Sequence, residues 1–456
     1  MQQRQPQQTR HPNEITVLTP VNPFDVSGPY TAVMRLALFM ALLPGLGTGL
    51  VLVLVVGAGL PIAVAWPQLA QAHGQVQALG FVLLFIVAVG LQLFPRFLGT
   101  PLRHANRATW GGGLVALALL ARWLGQPLPP GPIRLGLLLL AAIAVPIGAL
   151  VAGSAFHGLR PRHAATAQAD TPGGWRRFIA AGGLCLGLAL VLYLWAGLDL
   201  ALGDVVVPAG LDEALVQLEL TGFATSFVFA VASRVFGRFL LLRTRPSLDR
   251  RVPLLAGLWG AGVLLVVLGW LFDVPWSAWL RWLGSLVELG VVVGWVLLVG
   301  LYDPASRESG TPHVTNPTRR WVRLSVAFLL LGLALHVGWF GREALRGAAP
   351  SSTELSAARH ALAQGFLMPL MVAMAVRVLP VISGDALRHR LRVELILDLL
   401  FLGALLRVGA EAVGGYSAVS GPLIAFGGTL TVAGFSWFAL GMWSSLRRLL
   451  RAYPSG

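Results

Sequence analysis

Between residues 35 and 445 the chain alternates long apolar runs with short connections that are polar or rich in arginine. Twelve runs approach or exceed the roughly 20 residues that a helix needs to cross a hydrocarbon core. They lie at 35 to 58, 72 to 94, 107 to 124, 134 to 155, 176 to 197, 215 to 237, 253 to 272, 282 to 301, 321 to 341, 358 to 379, 392 to 412 and 420 to 445. The pattern predicts an all-α polytopic membrane protein of about 12 transmembrane helices in a single domain over 31–456. Prolines inside the runs, such as Pro44 and Pro146, fit this reading because neighbouring helices satisfy the freed backbone groups. The first 30 residues are polar and Gln/Pro-rich, lack the apolar core of a signal peptide, and are expected to form a disordered cytoplasmic tail.

Composition narrows the picture. With 56% hydrophobic and 12% charged residues among 456, the chain has too little polar surface to cover a soluble domain of that size. The net charge of +15 does not imply nucleic acid as a partner, because all 34 basic residues are arginines spread between the spans instead of forming one patch. Their distribution gives a topology. The segments after spans two, four, six, eight and ten carry 3, 4, 5, 4 and 3 arginines and the two ends 5 more. The alternate connections hold Arg122, Arg134, Arg281, Arg342, Arg346 and Arg359. Both termini are therefore expected in the cytoplasm, with the chain in a bacterial inner membrane. Trp66, Trp123, Trp276, Trp279, Trp282 and Trp339 fall at outer-side span ends, where amphipathic rings anchor helices. The single cysteine, Cys185, excludes a disulfide framework and a thiolate metal cluster.

A search for internal repeats finds a Gly-Phe pair three times. Gly80-Phe81 precedes Pro95-Arg96-Phe97-Leu98, and Gly222-Phe223 precedes Gly237-Arg238-Phe239-Leu240, at an offset of 142 residues. Gly365-Phe366 follows 143 residues later, with Arg377-Val378 matching Arg234-Val235. The first and third copies also share Pro95 with Pro380, Gly99 with Gly384, and Leu102-Arg103 with Leu387-Arg388. The pairs fall in spans two, six and ten, which divides the chain into three four-helix repeats at about 31–170, 171–315 and 316–456. Parallel repeats of this kind differ from the inverted repeats of many secondary transporters.

Of nine histidines, His11, His104, His157, His163, His313 and His389 lie in the tail or the basic loops and are expected to be solvated. His73, His336 and His360 fall in or beside spans, toward the outer face. An ionisable group at that depth is costly, so each is either a functional ligand or a helix-end group bonded to nearby backbone. Imidazole suits haem iron and copper, and Gln75, Gln77 and Gln364 stand close enough in sequence to orient such rings. Glu219, Glu288, Asp398 and Arg407 also lie within spans, as a proton or cation path or as internal ion pairs, while Arg234 and Arg377 are expected to snorkel inward. The chain carries no Walker loop, no HExxH and no usable Gly-x-Ser-x-Gly.

The segment Ala72-His73-Gly74-Gln75-Val76-Gln77-Ala78-Leu79-Gly80-Phe81, ending at Pro95-Arg96, resembles the tenth-helix motif of the C-family haem-copper oxidase catalytic subunit. The layout of twelve spans in three arcs is similar to that superfamily and its non-oxidase relatives, the NnrS-like proteins. By position His73 matches the first histidine of the motif, Gln75 replaces the second, and His360 stands at the second-histidine position of the third repeat. The resemblance implies that His73 and His360 are axial ligands of a haem, with copper the less favoured cofactor and nitric oxide or respiratory stress as the setting. The departures count against oxygen reduction, since span six offers Gln217 and Glu219 instead of histidine, no His-His pair follows span seven, and no tyrosine falls in either. The alternatives from other classes are a small-solute permease lined by Glu219, Glu288, Asp398 and Arg407, and an assembly factor for a respiratory complex.

Overall fold

The computed structural model describes residues 26–60, 65–159, 174–242, 244–245, 247–304, 317–383 and 392–452, with side-chain surroundings for all of these except Arg238, Pro317, 377–383 and 447–452. The tail over 1–25, the loop histidines His11, His163, His313 and His389, the repeat matches at Gly384 and Leu387-Arg388, and the side chains of Arg377 and Pro380 lie outside the described residues.

Among the described residues twelve long helices form, at α1 Ser27–Gly57, α2 Trp66–Leu98, α3 Asn106–Gly125, α4 Pro132–Phe156, α5 Trp175–Leu202 and α6 Ala209–Gly237. They continue with α7 Leu248–Leu271, α8 Ser277–Val299, α9 Thr318–Arg346, α10 Ser352–Val376, α11 Val393–Gly414 and α12 Ser420–Leu446. Eleven are long and apolar enough to cross a membrane, and α11 has the length but carries Glu394, Asp398, Arg407 and Glu411. No strand occurs among the described residues. The chain is an all-α, multi-pass membrane protein.

Each unit of four helices repeats the same contacts. The third and fourth helices cross antiparallel on a glycine pair, Gly111 with Gly148, Gly262 with Gly284, and Gly403 with Gly427. A Cβ at any of the six would stand within 3.0 Å of the facing glycine carbonyl oxygen, so the backbones touch as small-residue helix interfaces in lipid do. The fourth helix of each unit packs on the first helix of the next, and α12 packs back on α1, which closes a ring. Inside the ring stand α2, α6 and α10. Of the residues in their most apolar 18-residue stretches 83%, 78% and 72% are buried, against 56% or less in the other scored spans.

The Gly-Phe pairs now have a physical role. Each lies in a π-helical stretch of its central helix, Val76–Leu83, Gln217–Thr225 and Ala361–Leu367. Each glycine receives a side chain from the first helix of its own unit, Met40 at 3.1 Å, Cys185 at 2.8 Å and Phe328 at 2.2 Å from where a Cβ would be. The wider turn and the missing side chain together let the first and second helices of a unit close on one another. Cys185 is thus a buried packing residue.

The face at which α2, α6 and α10 begin is called the histidine face below and the opposite one the arginine face. On the histidine face α8 is tied to α9 by Arg281, whose Nη2 and Nε donate to Glu343 at 2.7 and 3.3 Å, whose Nη1 donates to the Gly269 carbonyl, and which lies over the Trp270 ring. Both partners are largely buried. Removing one strands the other, so Arg281→Leu is expected to cost about 3–5 kcal/mol of stability, with much of it recovered in the Arg281→Leu, Glu343→Leu double variant. Thermal unfolding of the purified proteins checks this, and equal losses in the single and double variants would contradict it.

Candidate ligand cavity on the histidine face

The π-helical stretch of α6 touches those of α2 and α10, and the three central helices leave space on either side of that level. The space toward the histidine face is a cavity of about 230 Å³ with His73 and His360 both in its wall. Glu219, Arg359, Arg407, Gln77 and Gln364 also line it.

His73 sits seven residues into α2 and His360 eight residues into α10, which sinks each roughly 10–12 Å along its helix. Sequence reading placed both at span openings, because the preceding turns are too polar to count as membrane. Those turns are helical and packed, with Gln68 buried and Arg359 ion-paired to Asp212 and Glu213 at 3.3 and 2.5 Å, joining α10 to α6.

The two rings are held alike. His73 Nδ1 is 2.8 Å from the Gly45 carbonyl oxygen, in the π-helical stretch Ala41–Gly47 of α1. His360 Nδ1 is 2.8 Å from the Ser356 carbonyl oxygen and 3.1 Å from Glu411 Oε2. Oxygen acceptors at Nδ1 make that nitrogen the N–H donor and leave the Nε2 lone pair available. Neither Nε2 makes a hydrogen bond among the described residues. Gly49 gives the His73 ring its place, since a Cβ there would stand 2.7 Å from His73 Cε1.

The Glu411 carboxylate has no exposed surface and takes Arg407 Nε at 3.2 Å and the Ser356 hydroxyl at 3.2 Å besides His360. A hydrogen-bonded carboxylate behind an imidazole fixes its tautomer and strengthens it as a ligand. Sequence reading passed over Glu411, although its position four residues after Arg407 on one helix is the spacing of an ion pair. Arg407 is paired there and not with Glu219 or Glu288.

The other candidate residues scatter. Gln75 does not line the cavity, and its Nε2 donates to Glu219 Oε2 at 3.3 Å while Glu219 Oε1 has no partner. Gln77 Nε2 reaches the Ala41 carbonyl at 3.5 Å, and Gln364 Nε2 donates to the Thr431 hydroxyl at 2.5 Å, so backbone and carboxylate oxygens orient the imidazoles in place of glutamines. His336 is buried on α9, stacked on Phe340 at 5.1 Å, and outside the cavity. Glu288 lies fully buried against Gly262 and accepts Gln217 Nε2 at 2.6 Å. Asp398 occupies an exposed position on α11. Of the four intramembrane groups assigned to a permease path, only Glu219 and Arg407 share a cavity.

The donor set on the wall is two imidazoles with the ion-paired guanidinium groups of Arg359 and Arg407 beside them. In donor chemistry alone the set matches a metal complex that takes two nitrogen ligands and carries carboxylates. Among the described residues there is no group of three or more His, Cys, Asp or Glu side chains able to hold a bare metal ion. No model of a known family matches the chain, and no curated protein matches it.

Proposed function

We propose that this is an NnrS-like protein of the bacterial inner membrane, a distant relative of the haem-copper oxidase catalytic subunits, that holds a haem between His73 and His360 on the outer side and serves the response to nitric oxide or respiratory stress. The observation that carries the reading is that two imidazoles 287 residues apart in sequence line one cavity, each held at Nδ1 with Nε2 unbonded.

Haem bound there would supply one-electron redox chemistry. The chain's part is to hold it. Gly45 and Glu411 fix the tautomers and directions of His73 and His360, and Arg407 and Arg359, though ion-paired to Glu411 and to Asp212 and Glu213, would turn their remaining N–H groups to the haem carboxylates. Gly49 keeps space for the His73 ring.

The test is the absorbance spectrum and iron content of detergent-purified protein made under haem-replete conditions. The expected result is a Soret band that shifts on reduction with dithionite, at one iron per chain. A featureless spectrum with no bound iron would overturn the reading.

A further inference from the structure

The haem site leaves the second axial space unused. It lies beyond the π-helical stretches toward the arginine face and measures about 290 Å³. Its walls follow one register of the repeat, with Phe85, Phe227 and Leu370 at one level and Val89, Val231 and Met374 at the next, at the offsets that relate the Gly-Phe pairs. Met34 of α1 and Met442 of α12 close one side. The space is therefore a bore between the three central helices, in which the π-helical stretch of α6 touches those of α2 and α10 and the helices part below that level.

An apolar cavity of about 150 Å³ already stays dry and takes up benzene or xenon, and this one is nearly twice that size. Among its walls only Tyr30, Gln92 and Arg96 bring hydroxyl, amide or guanidinium groups. Arg96 is exposed at the arginine face while lining the bore, and its Nη1 donates to the Gln92 side chain at 2.5 Å. Arg234 of α6 does not line the bore, and lies over the Phe97 and Trp175 rings at 5.0 and 5.7 Å while donating to the Phe97 carbonyl at 3.3 Å. From Val82, which lines both spaces, to Arg96 is fourteen residues of helix, roughly 21 Å. An acyl chain in one leaflet covers about 15 Å, half of the hydrocarbon core.

We infer that this bore binds one alkyl chain carrying an anionic head, with the chain between α2, α6 and α10 and the carboxylate or phosphate at Arg96. A guanidinium at the mouth of an apolar shaft favours an anionic amphiphile over a neutral one of the same length, and water-soluble anions cannot fill the shaft. Met374 and Met442 suit a flexible occupant, since thioether side chains repack around changing shapes.

The full chain, reconstituted in nanodiscs of phosphatidylcholine, is titrated with dansyl-labelled undecanoate, and unlabelled competitors are added. The expected result is saturable binding of one probe per chain, displaced by stearate and at least about tenfold less well by stearyl alcohol. Ala232→Trp, which places an indole in the bore, abolishes binding, and Arg96→Gln weakens it by about tenfold. Val231→Phe is measured beside Ala232→Trp, and only variants that melt as the wild type does are compared. Displacement by lysophosphatidylglycerol as well as stearate assigns the site to lipid headgroup chemistry, and displacement by stearate alone assigns it to free fatty acids. Absence of saturable binding, or binding unchanged in folded bore-filling variants, overturns the inference. Equal competition by stearate and stearyl alcohol overturns the anionic head.

Discussion

Gly111→Ala is expected to lower the stability of the protein by about 3 kcal/mol, the upper part of the range for overpacking, while Gly113→Ala two residues away leaves it unchanged. A Cβ at Gly111 would stand 2.3 Å from the Ala152 amide nitrogen and 2.4 Å from the Gly148 carbonyl oxygen. Both are backbone atoms of α4, so no rotamer change relieves the clash and the two helices must part. Around Gly113 nothing lies within 4 Å. The comparison keeps the residue change, the helix and the membrane depth nearly constant, and the measurement is thermal unfolding of the two purified variants beside the wild type. Equal melting of both would mean that α3 and α4 do not cross at this glycine.

The same pair of residues marks where sequence reading stops. Gly111-Gly112-Gly113 reads as helix packing, but nothing in an isolated chain separates the glycine that touches backbone from the one that faces open space, because both lack a side chain to carry a pattern. The spans were legible because hydropathy over 20 residues is a large signal. The Gly-Phe repeat was legible because three units of equal length keep the same register. Helix starts were not legible. The opening turns of α2 and α10 are polar by composition, and only tertiary partners such as Asp212 and Glu213 make them packed structure. The buried arginines show the same thing. Arg122, Arg134 and Arg281 count as outer-side charge in the sequence, yet the fold buries them against Gln126, the Asp204 carbonyl and Glu343.

The repeat also shows how the candidate site departs from its own frame. The position five residues before each Gly-Phe pair holds Gln75, Gln217 and His360, and each reaches a glutamate, Glu219, Glu288 and Glu411 respectively. In two units the pair is amide with carboxylate and closes a contact between helices. In the third an imidazole replaces the amide, which keeps the contact through Nδ1 and adds a second nitrogen on the far side of the ring. His73 has no such precedent, for the equivalent positions are Leu215 and Ala358. The candidate site thus departs from the repeat pattern at two positions, His73 in the first unit and His360 in the third, which line one cavity.

With haem bound as proposed, His360→Ala is expected to abolish the Soret band, and Glu411→Gln to keep the band but raise the midpoint potential by on the order of 50 mV, given about 59 mV per tenfold for one electron. The alanine removes the proposed ligand outright, and the other side-chain nitrogens that α10 brings to the cavity wall, those of the ion-paired Arg359 and of the Gln364 amide, have no lone pair to give a metal. The glutamine retains an oxygen for His360 Nδ1 but removes the negative charge, and three consequences share one sign. The imidazole becomes a weaker donor, the oxidised iron loses a nearby counter-charge, and Arg407 loses the carboxylate that balances it. Each favours the reduced state, so the shift is upward. Redox titration of the two variants followed at the Soret maximum decides the matter. A downward shift, or a Soret band that survives His360→Ala at full occupancy, would place the ligand away from His360 and leave Glu411 as a packing carboxylate.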